Sequence, residues 1–237
     1  MIGLLENEIK VISLDIFSVE ENEELVDSFI SKDRLIKANK FLTKEARLLS
    51  KSAAVLLKAF TSSEEEFFNE YNKPLKNSLP FFNISHSKTF GSIALTNNSP
   101  IGIDIESAFK KYDEYLYSCF NSDEIKNIEE QNIDLRAITL PIDEKTMKDI
   151  KYYLWWTKKE SIAKFIGTGF VDPRKQPLNI LLDNEYEFES NKGFIYSKIR
   201  QTNNDIFCYS ICSKINKPDI KFLDLSFLDI LKLVDNK

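Results

Sequence analysis

The sequence predicts an α+β chain with two similar halves. Three observations point there. Short stretches alternate apolar and polar residues with period two, other stretches repeat apolar residues at helical spacing, and the order is strand, helices, strands, then helices, strands. A chain of 237 residues can bury one full core or two packed halves of roughly half that length each.

Composition narrows the function classes. A hydrophobic share of 43% and a charged share of 29% are those of an ordinary soluble protein, and 18 Phe with 9 Tyr give an aromatic-rich core. The longest apolar runs fall far short of a membrane span. Met1-Ile2-Gly3-Leu4-Leu5-Glu6 lacks the basic-then-apolar order of a signal peptide, so the expected location is cytoplasmic, with no membrane partner. Cys119, Cys208 and Cys212 are odd in number and form no CxxC pair, which makes them expected buried thiols. His86 is the sole histidine, so a site of two or more imidazoles is excluded and a bound metal would take carboxylate oxygens, as magnesium does. A net charge of −5 argues against nucleic-acid binding.

Taken in order, Glu8 to Phe17 alternates as an opening strand, and a helical pattern runs from about Leu25 to Phe41. A second helix is expected from Thr43, its N-cap, to Phe60, with Ala46, Leu49, Ala53, Leu56, Leu57 and Phe60 inward. These helices concentrate Lys32, Arg34, Lys37, Lys40, Lys44, Arg47, Lys51 and Lys58 against only Asp33 and Glu45. Such a surface is either a solvated helix face or a polyanion site. Asn72-Lys73-Pro74 is a turn in which Pro74 pushes Lys73 out of the helical region. Phe81 to Ser87 reads as a strand ending in a polar Ser85-His86-Ser87 turn. Gly91 to Thr96 follows, and Asn97-Asn98-Ser99-Pro100 is expected to close a hairpin onto the next strand. That pairing would place Ser85 and His86 one strand from the residues described next. A lone histidine at a strand end is structural, or, beside a carboxylate pair, a phosphate partner together with the serine hydroxyl.

Ile101-Gly102-Ile103-Asp104-Ile105-Glu106 is the central strand. Its isoleucines take one face, and Gly102, Asp104 and Glu106 the other, which is expected to be exposed. Neighbours two apart on a strand have side-chain origins about 7 Å apart. The two carboxylates form either a solvated strand face or a site converging on one hard cation. Phe109 to Gln131 reads as helical, and residues 131 to about 148 as irregular, with Pro141 interrupting. The strongest helix signal spans Tyr152 to Ile166, ended by Gly167. On it Glu160 and Lys164 are neighbours four apart, a surface ion pair unless the context assigns them more. Short strands at 178–182, 186–189, 194–199 and 206–212 and a helical turn after Leu225 complete the chain.

Three motifs occur in order: Phe82-Asn83-Ile84-Ser85-His86-Ser87, Ile101-Gly102-Ile103-Asp104-Ile105-Glu106 and Trp156-Thr157-Lys158-Lys159-Glu160-Ser161-Ile162-Ala163-Lys164. Together they resemble the phosphopantetheinyl transferases of the surfactin-synthetase-activating type. The likeness runs from about residue 25 to residue 170.

The resemblance implies a pseudo-dimer of two halves, here 1–100 and 101–237, each an antiparallel sheet packed with helices, with a ligand cleft between them. It implies Mg-dependent transfer of the phosphopantetheine arm of coenzyme A, the substrate, to a serine of an acyl, peptidyl or aryl carrier protein, releasing adenosine 3′,5′-bisphosphate. Asp104, Glu106 and Glu160 match the magnesium ligands, Glu160 also the base for the serine, directly or through water, and Lys164 the cation at the pyrophosphate. Ser85 and His86 match phosphate contacts, Lys73 and Pro74 the adenine pocket, and Arg34 and Lys37 the 3′-phosphate site. Glu124 matches an acidic residue near the metal. Leu49 stands where the family has an arginine, which leaves Arg47 or Lys51 to supply that charge. Carrier proteins are typically acidic helical bundles, so docking is expected beside the basic surface and against apolar residues at 112–120, Tyr115 and Leu116 among them. A two-half chain points to a monomer. The competing readings are another Mg-dependent phosphoryl-transfer enzyme and a non-catalytic coenzyme A or carrier-protein binding module.

Overall fold

The computed structural model describes residues 3–61, 79–109, 114–167, 179–180, 185–188, 191–202 and 204–235. They divide into two compact units, Met1–Ile101 with Lys217–Lys237, and Gly102–Asn216. Each combines a β-sheet with helices. Among the described residues no helix is long and apolar enough to cross a membrane.

The first unit opens with β1 (Glu8–Asp15), in which Ile9, Val11, Ile12 and Leu14 are fully buried. The strand stops short of Phe17. The Asp15 side chain accepts a hydrogen bond from Phe17 N at 3.0 Å and thereby caps α1 (Ile16–Glu21). The expected helix from Leu25 to Phe41 is two helices, α2 (Glu23–Phe29) and α3 (Lys32–Asn39). The break falls at Ser31, whose hydroxyl accepts from Arg34 N at 3.3 Å and starts the second. α4 (Lys44–Phe60) begins where expected, with Thr43 Oγ1 accepting from Ala46 N at 3.2 Å. Its buried side is wider than expected. Leu48, Lys51, Ser52 and Val55 are buried, while Ala46, Leu49 and Ala53 are half-buried.

β2 (Phe81–Ser87) and β3 (Phe90–Thr96) form an antiparallel hairpin with Ile84 opposite Ile93. On its other edge β3 pairs antiparallel with β1, placing Ile12 opposite Ile93 as well. Both edges of β3 are therefore taken, and the expected hairpin between residues 91–96 and 101–106 does not form. The turn at Asn72-Lys73-Pro74 lies outside the described residues.

The second unit carries β4 (Ile101–Ser107), α5 (Glu114–Ser118), α6 (Ser122–Glu130), α7 (Glu144–Ile166), β5 (Asn179–Ile180), β6 (Glu185–Phe188), β7 (Asn191–Thr202) and β8 (Asp205–Ser213). Its sheet runs β4-β8-β7-β6-β5. The long antiparallel pair β7 and β8 sets Ile199 opposite Cys208. α7 starts well before Tyr152, because the Asp143 side chain accepts from Thr146 N at 2.7 Å and caps it there. It ends at Gly167, whose φ of 93° is the left-handed conformation glycine adopts without strain. Ile150, Trp155 and Ile162 of α7 share a core with Ile206 and Cys208 of β8. Cys119, Cys208 and Cys212 are buried free thiols, as expected.

The chain then returns to the first unit. β9 (Asp219–Leu225) pairs parallel with β1, Val11 opposite Phe222, and gives the order β2-β3-β1-β9. α8 (Phe227–Asp235) buries Phe227 and Ile230 in the core built by Ile12, Val55, Leu56 and Ile93. The expected C-terminal half, 101–237, thus loses residues 217–237 to the first unit. The physical reason is the free edge of β1, which β9 covers.

Candidate active site

β4 and α7 meet through Gly102. A Cβ at that position would stand 2.0 Å from the Ser161 carbonyl oxygen and 2.6 Å from Phe165 N, so strand and helix backbone touch where a side chain would be. Gly102, Asp104 and Glu106 alternate onto one strand face. That face is not the exposed one expected, because α7 covers it. Asp104 is only 5% exposed and Glu106 is half-buried.

Lys164, one turn beyond Ser161 on α7, donates from Nζ to Asp104 Oδ1 at 2.6 Å. Oδ2 of the same carboxylate is buried and accepts no hydrogen bond from the described residues. Glu160 lies four residues before Lys164 and is half-buried, so both face the same side of the helix. Lys164 thus has a partner on β4 that its spacing from Glu160 along the helix did not indicate. A helix-only spacing argument could not see the strand beneath.

The end of β4 is clamped by a residue that the sequence reading missed. Ser107 Oγ donates to Asp205, at 2.8 Å to Oδ1 and 3.0 Å to Oδ2, and Ala108 N donates to Ile206 O at 2.7 Å. Both side chains are buried. The clamp adjoins Glu106 in sequence and fixes the strand end that carries it. Burial, with the negative charges of Glu106 and Asp205, pushes the Cys208 thiol far up, which leaves it an inert core group. Burial lowers Lys158 to about 8.

The donor set can be weighed for magnesium on its chemistry. Magnesium takes oxygen ligands in near-octahedral geometry, usually one or two carboxylates completed by water and substrate phosphates. Asp104, Glu106 and Glu160 offer oxygens of that kind, and Asp104 already holds a cation, the Lys164 ammonium. Among the described residues no group of three or more His, Cys, Asp or Glu is placed to hold a metal. The three carboxylates are therefore not gathered into a ready-made cluster.

Glu124 is tied into the core. Lys159 Nζ donates to its two oxygens at 2.8 and 3.1 Å, and both side chains are almost wholly buried. Glu124 Oε2 also accepts from Asn121 N at 3.0 Å while Asn121 Oδ1 accepts from Glu124 N at 2.9 Å, a capping box that starts α6. Glu124 therefore anchors α6 to α7.

In the first unit, Arg34 and Lys37 lie one turn apart on α3. Partial burial and the Arg34 charge hold Lys37 below the ordinary lysine range. Two cations in mutual repulsion suit a multiply charged anion. The two candidates for the missing arginine are engaged elsewhere. Arg47 Nη1 donates to the carbonyls of Phe41 and Leu42 at 3.1 and 3.2 Å, and buried Lys51 is held by Glu23 and Asp27. Lys44 pairs with Glu20. On β2, Ser85 is buried and His86 exposed, opposite Ser92 and Gly91. These two stand in a different sheet from Asp104 and Glu106. Lys73 and Pro74 lie outside the described residues. Tyr115 is 61% exposed, whereas Leu116 is buried in the core and presents no docking surface.

Residues 100–207 match the family model of the 4′-phosphopantetheinyl transferase superfamily. The match spans β4 through the start of β8 and contains Asp104, Glu106, Glu160 and Lys164. No curated protein matches the chain.

Proposed function

We propose, from the 4′-phosphopantetheinyl transferase superfamily domain that residues 100–207 carry, that this protein transfers the phosphopantetheine arm of coenzyme A to a serine of a carrier protein. The observation that carries the reading is the position of Asp104 and Lys164. They lie inside the matched segment, paired across a strand and a helix that a glycine brings into backbone contact.

The serine oxygen forms a bond to the phosphorus nearer the pantetheine, and the bond from that phosphorus to the bridging oxygen breaks. Adenosine 3′,5′-bisphosphate leaves with the bond's electron pair. Asp104, Glu106 and Glu160 would hold a magnesium ion, which neutralises charge on the diphosphate when bound. Lys164, held by Asp104, adds positive charge on the same side. A serine hydroxyl needs a base within reach, and Glu160 takes its proton through a water, since a carboxylate shared with a metal is a weak base. In this reading Arg34 and Lys37 bind the 3′-phosphate, Ser85 and His86 the diphosphate, and Lys73 and Pro74 the adenine. The carrier, of acyl, peptidyl or aryl type, docks at Tyr115 beside cations. The protein works as a cytoplasmic monomer.

Mass spectrometry of apo carrier proteins incubated with the chain, coenzyme A and magnesium tests this directly. One added phosphopantetheine is expected, absent without magnesium, and absent with Glu160→Gln although coenzyme A still raises the melting temperature of that variant. A Glu160→Gln chain that modifies carriers at the normal rate removes the assignment.

A further inference from the structure

Lys158 is a buried cation for which the transfer reaction has no use. It is 9% exposed, and its Nζ stands 5.2 Å over the Trp155 ring. No described residue accepts a hydrogen bond from it or forms an ion pair with it. The other buried lysines differ: Lys159 holds Glu124, and Lys51 holds Glu23 and Asp27. An aromatic face replaces only part of the hydration that an ammonium loses on burial. Lys158 is therefore left with donor capacity that the protein does not satisfy.

That capacity borders a cavity. Lys158 lines a space of about 370 Å³ together with Asn127, Glu130, Gln131 and Trp155. Trp155 Nε1 donates to Gln131 Oε1 at 2.7 Å, which fixes the orientation of that amide and leaves its NH₂ as a donor. The lining thus offers one ammonium, two residues with side-chain amides and an indole, a combination that suits an oxyanion on a small flat body. Glu130 limits the charge. Its carboxylate on the same wall repels a second negative charge, so a carboxylate fits better than a phosphate dianion.

We propose that this cavity binds a small monoanionic aromatic carboxylic acid, with its carboxylate on Lys158. The site uses none of the residues assigned to coenzyme A, magnesium or the carrier, and it stands whether or not the transfer reaction does.

Titration of the full chain with benzoate, benzamide and inorganic phosphate tests it, read by the Trp155 indole N–H resonance and by melting temperature. Benzoate is expected to shift that resonance saturably and to raise the melting temperature. Benzamide, of the same shape without the charge, and phosphate should each bind at least about tenfold more weakly. Lys158→Met should weaken benzoate by at least about tenfold without lowering the melting temperature of the free chain, because it removes an unpaired buried charge. Glu130→Gln should bring phosphate closer to benzoate. Absence of saturable benzoate binding, benzamide or phosphate binding as tightly, or undiminished binding to Lys158→Met would each overturn the proposal. If Lys158→Met does not fold, benzoate against benzamide on the unaltered chain decides.

Discussion

Gly102 and Ser161 are in contact where only a hydrogen atom fits: a Cβ on the glycine would stand 2.0 Å from the serine carbonyl oxygen. The neighbouring atom is backbone, so no side-chain rotation relieves the clash. Gly102→Ala must push α7 off β4, at a cost of about 1–3 kcal/mol in stability. Asp104 and Lys164 meet across that same junction, so carrier modification should fall further than the loss of folded protein explains. Chemical denaturation and carrier mass spectrometry on the same samples separate the two. Wild-type stability in Gly102→Ala would show that the junction is looser than this geometry.

The Lys164 ammonium on Asp104 Oδ1 gives a test of metal binding that needs no turnover. Lys164→Met leaves a carboxylate that is 5% exposed without its cation, which should cost about 1–3 kcal/mol in the presence of a chelator, the partial exposure of Lys164 holding the figure down. If Asp104 is a magnesium ligand, millimolar magnesium should raise the melting temperature of Lys164→Met more than that of the unaltered chain. The gain should vanish in Asp104→Asn with Lys164→Met. A Lys164→Met melt indifferent to magnesium sinks the assignment of Asp104.

What could be read from sequence follows from how local each signal is. The start of α4 at Thr43 and the end of α7 at Gly167 are set by single residues acting on adjacent backbone, and both lie where the sequence places them. The face of β4 was legible as a face, but period two does not distinguish water from a helix on it. Gly102 was the available sign, since a glycine inside a strand marks a close backbone approach. Asp205 and its bond to Ser107 join residues far apart in sequence, so no motif announces them. β9 was missed for a similar reason. Asp219 to Leu225 carries three charged residues and is only partly buried, and what makes it a strand is the open edge of β1 at the other end of the chain. Nothing in the local sequence marks Lys159 as buried, yet α7 is covered by the sheet on one side and by α5 and α6 on another.

The buried pair of Lys159 and Glu124 should behave as structure rather than as chemistry. Removing one partner strands a charge in the core, so Lys159→Met should cost about 3–5 kcal/mol. Lys159→Met with Glu124→Gln should recover part of that loss, because no buried charge remains. Glu124 here holds α6 to α7, and the double variant should keep the magnesium response of the melt described above. Loss of that response with the fold intact would instead give Glu124 a part at the metal.

Glu8 and Lys221 join the two ends of the chain, and acid should part them. Glu8 Oε1 lies 2.7 Å from Lys221 Nζ, linking β1 to β9, and Oε2 accepts from Leu5 N at 3.2 Å. The Lys221 hydrogen bond, outweighing the cost of burial, holds the Glu8 carboxyl below the ordinary value of 4.5. A carboxyl depressed by folding stabilises the fold above its unfolded value, and that contribution disappears as pH falls through 4.5 and past the folded value. β9 is an edge strand fastened to β1 alone, so its amides should lose hydrogen-exchange protection below about pH 4.5 before those of β3, which is paired on both edges. Glu8→Gln should show reduced β9 protection already at neutral pH and no further step in that acid range. An unchanged acid profile in Glu8→Gln would assign the acid sensitivity of this edge to another group.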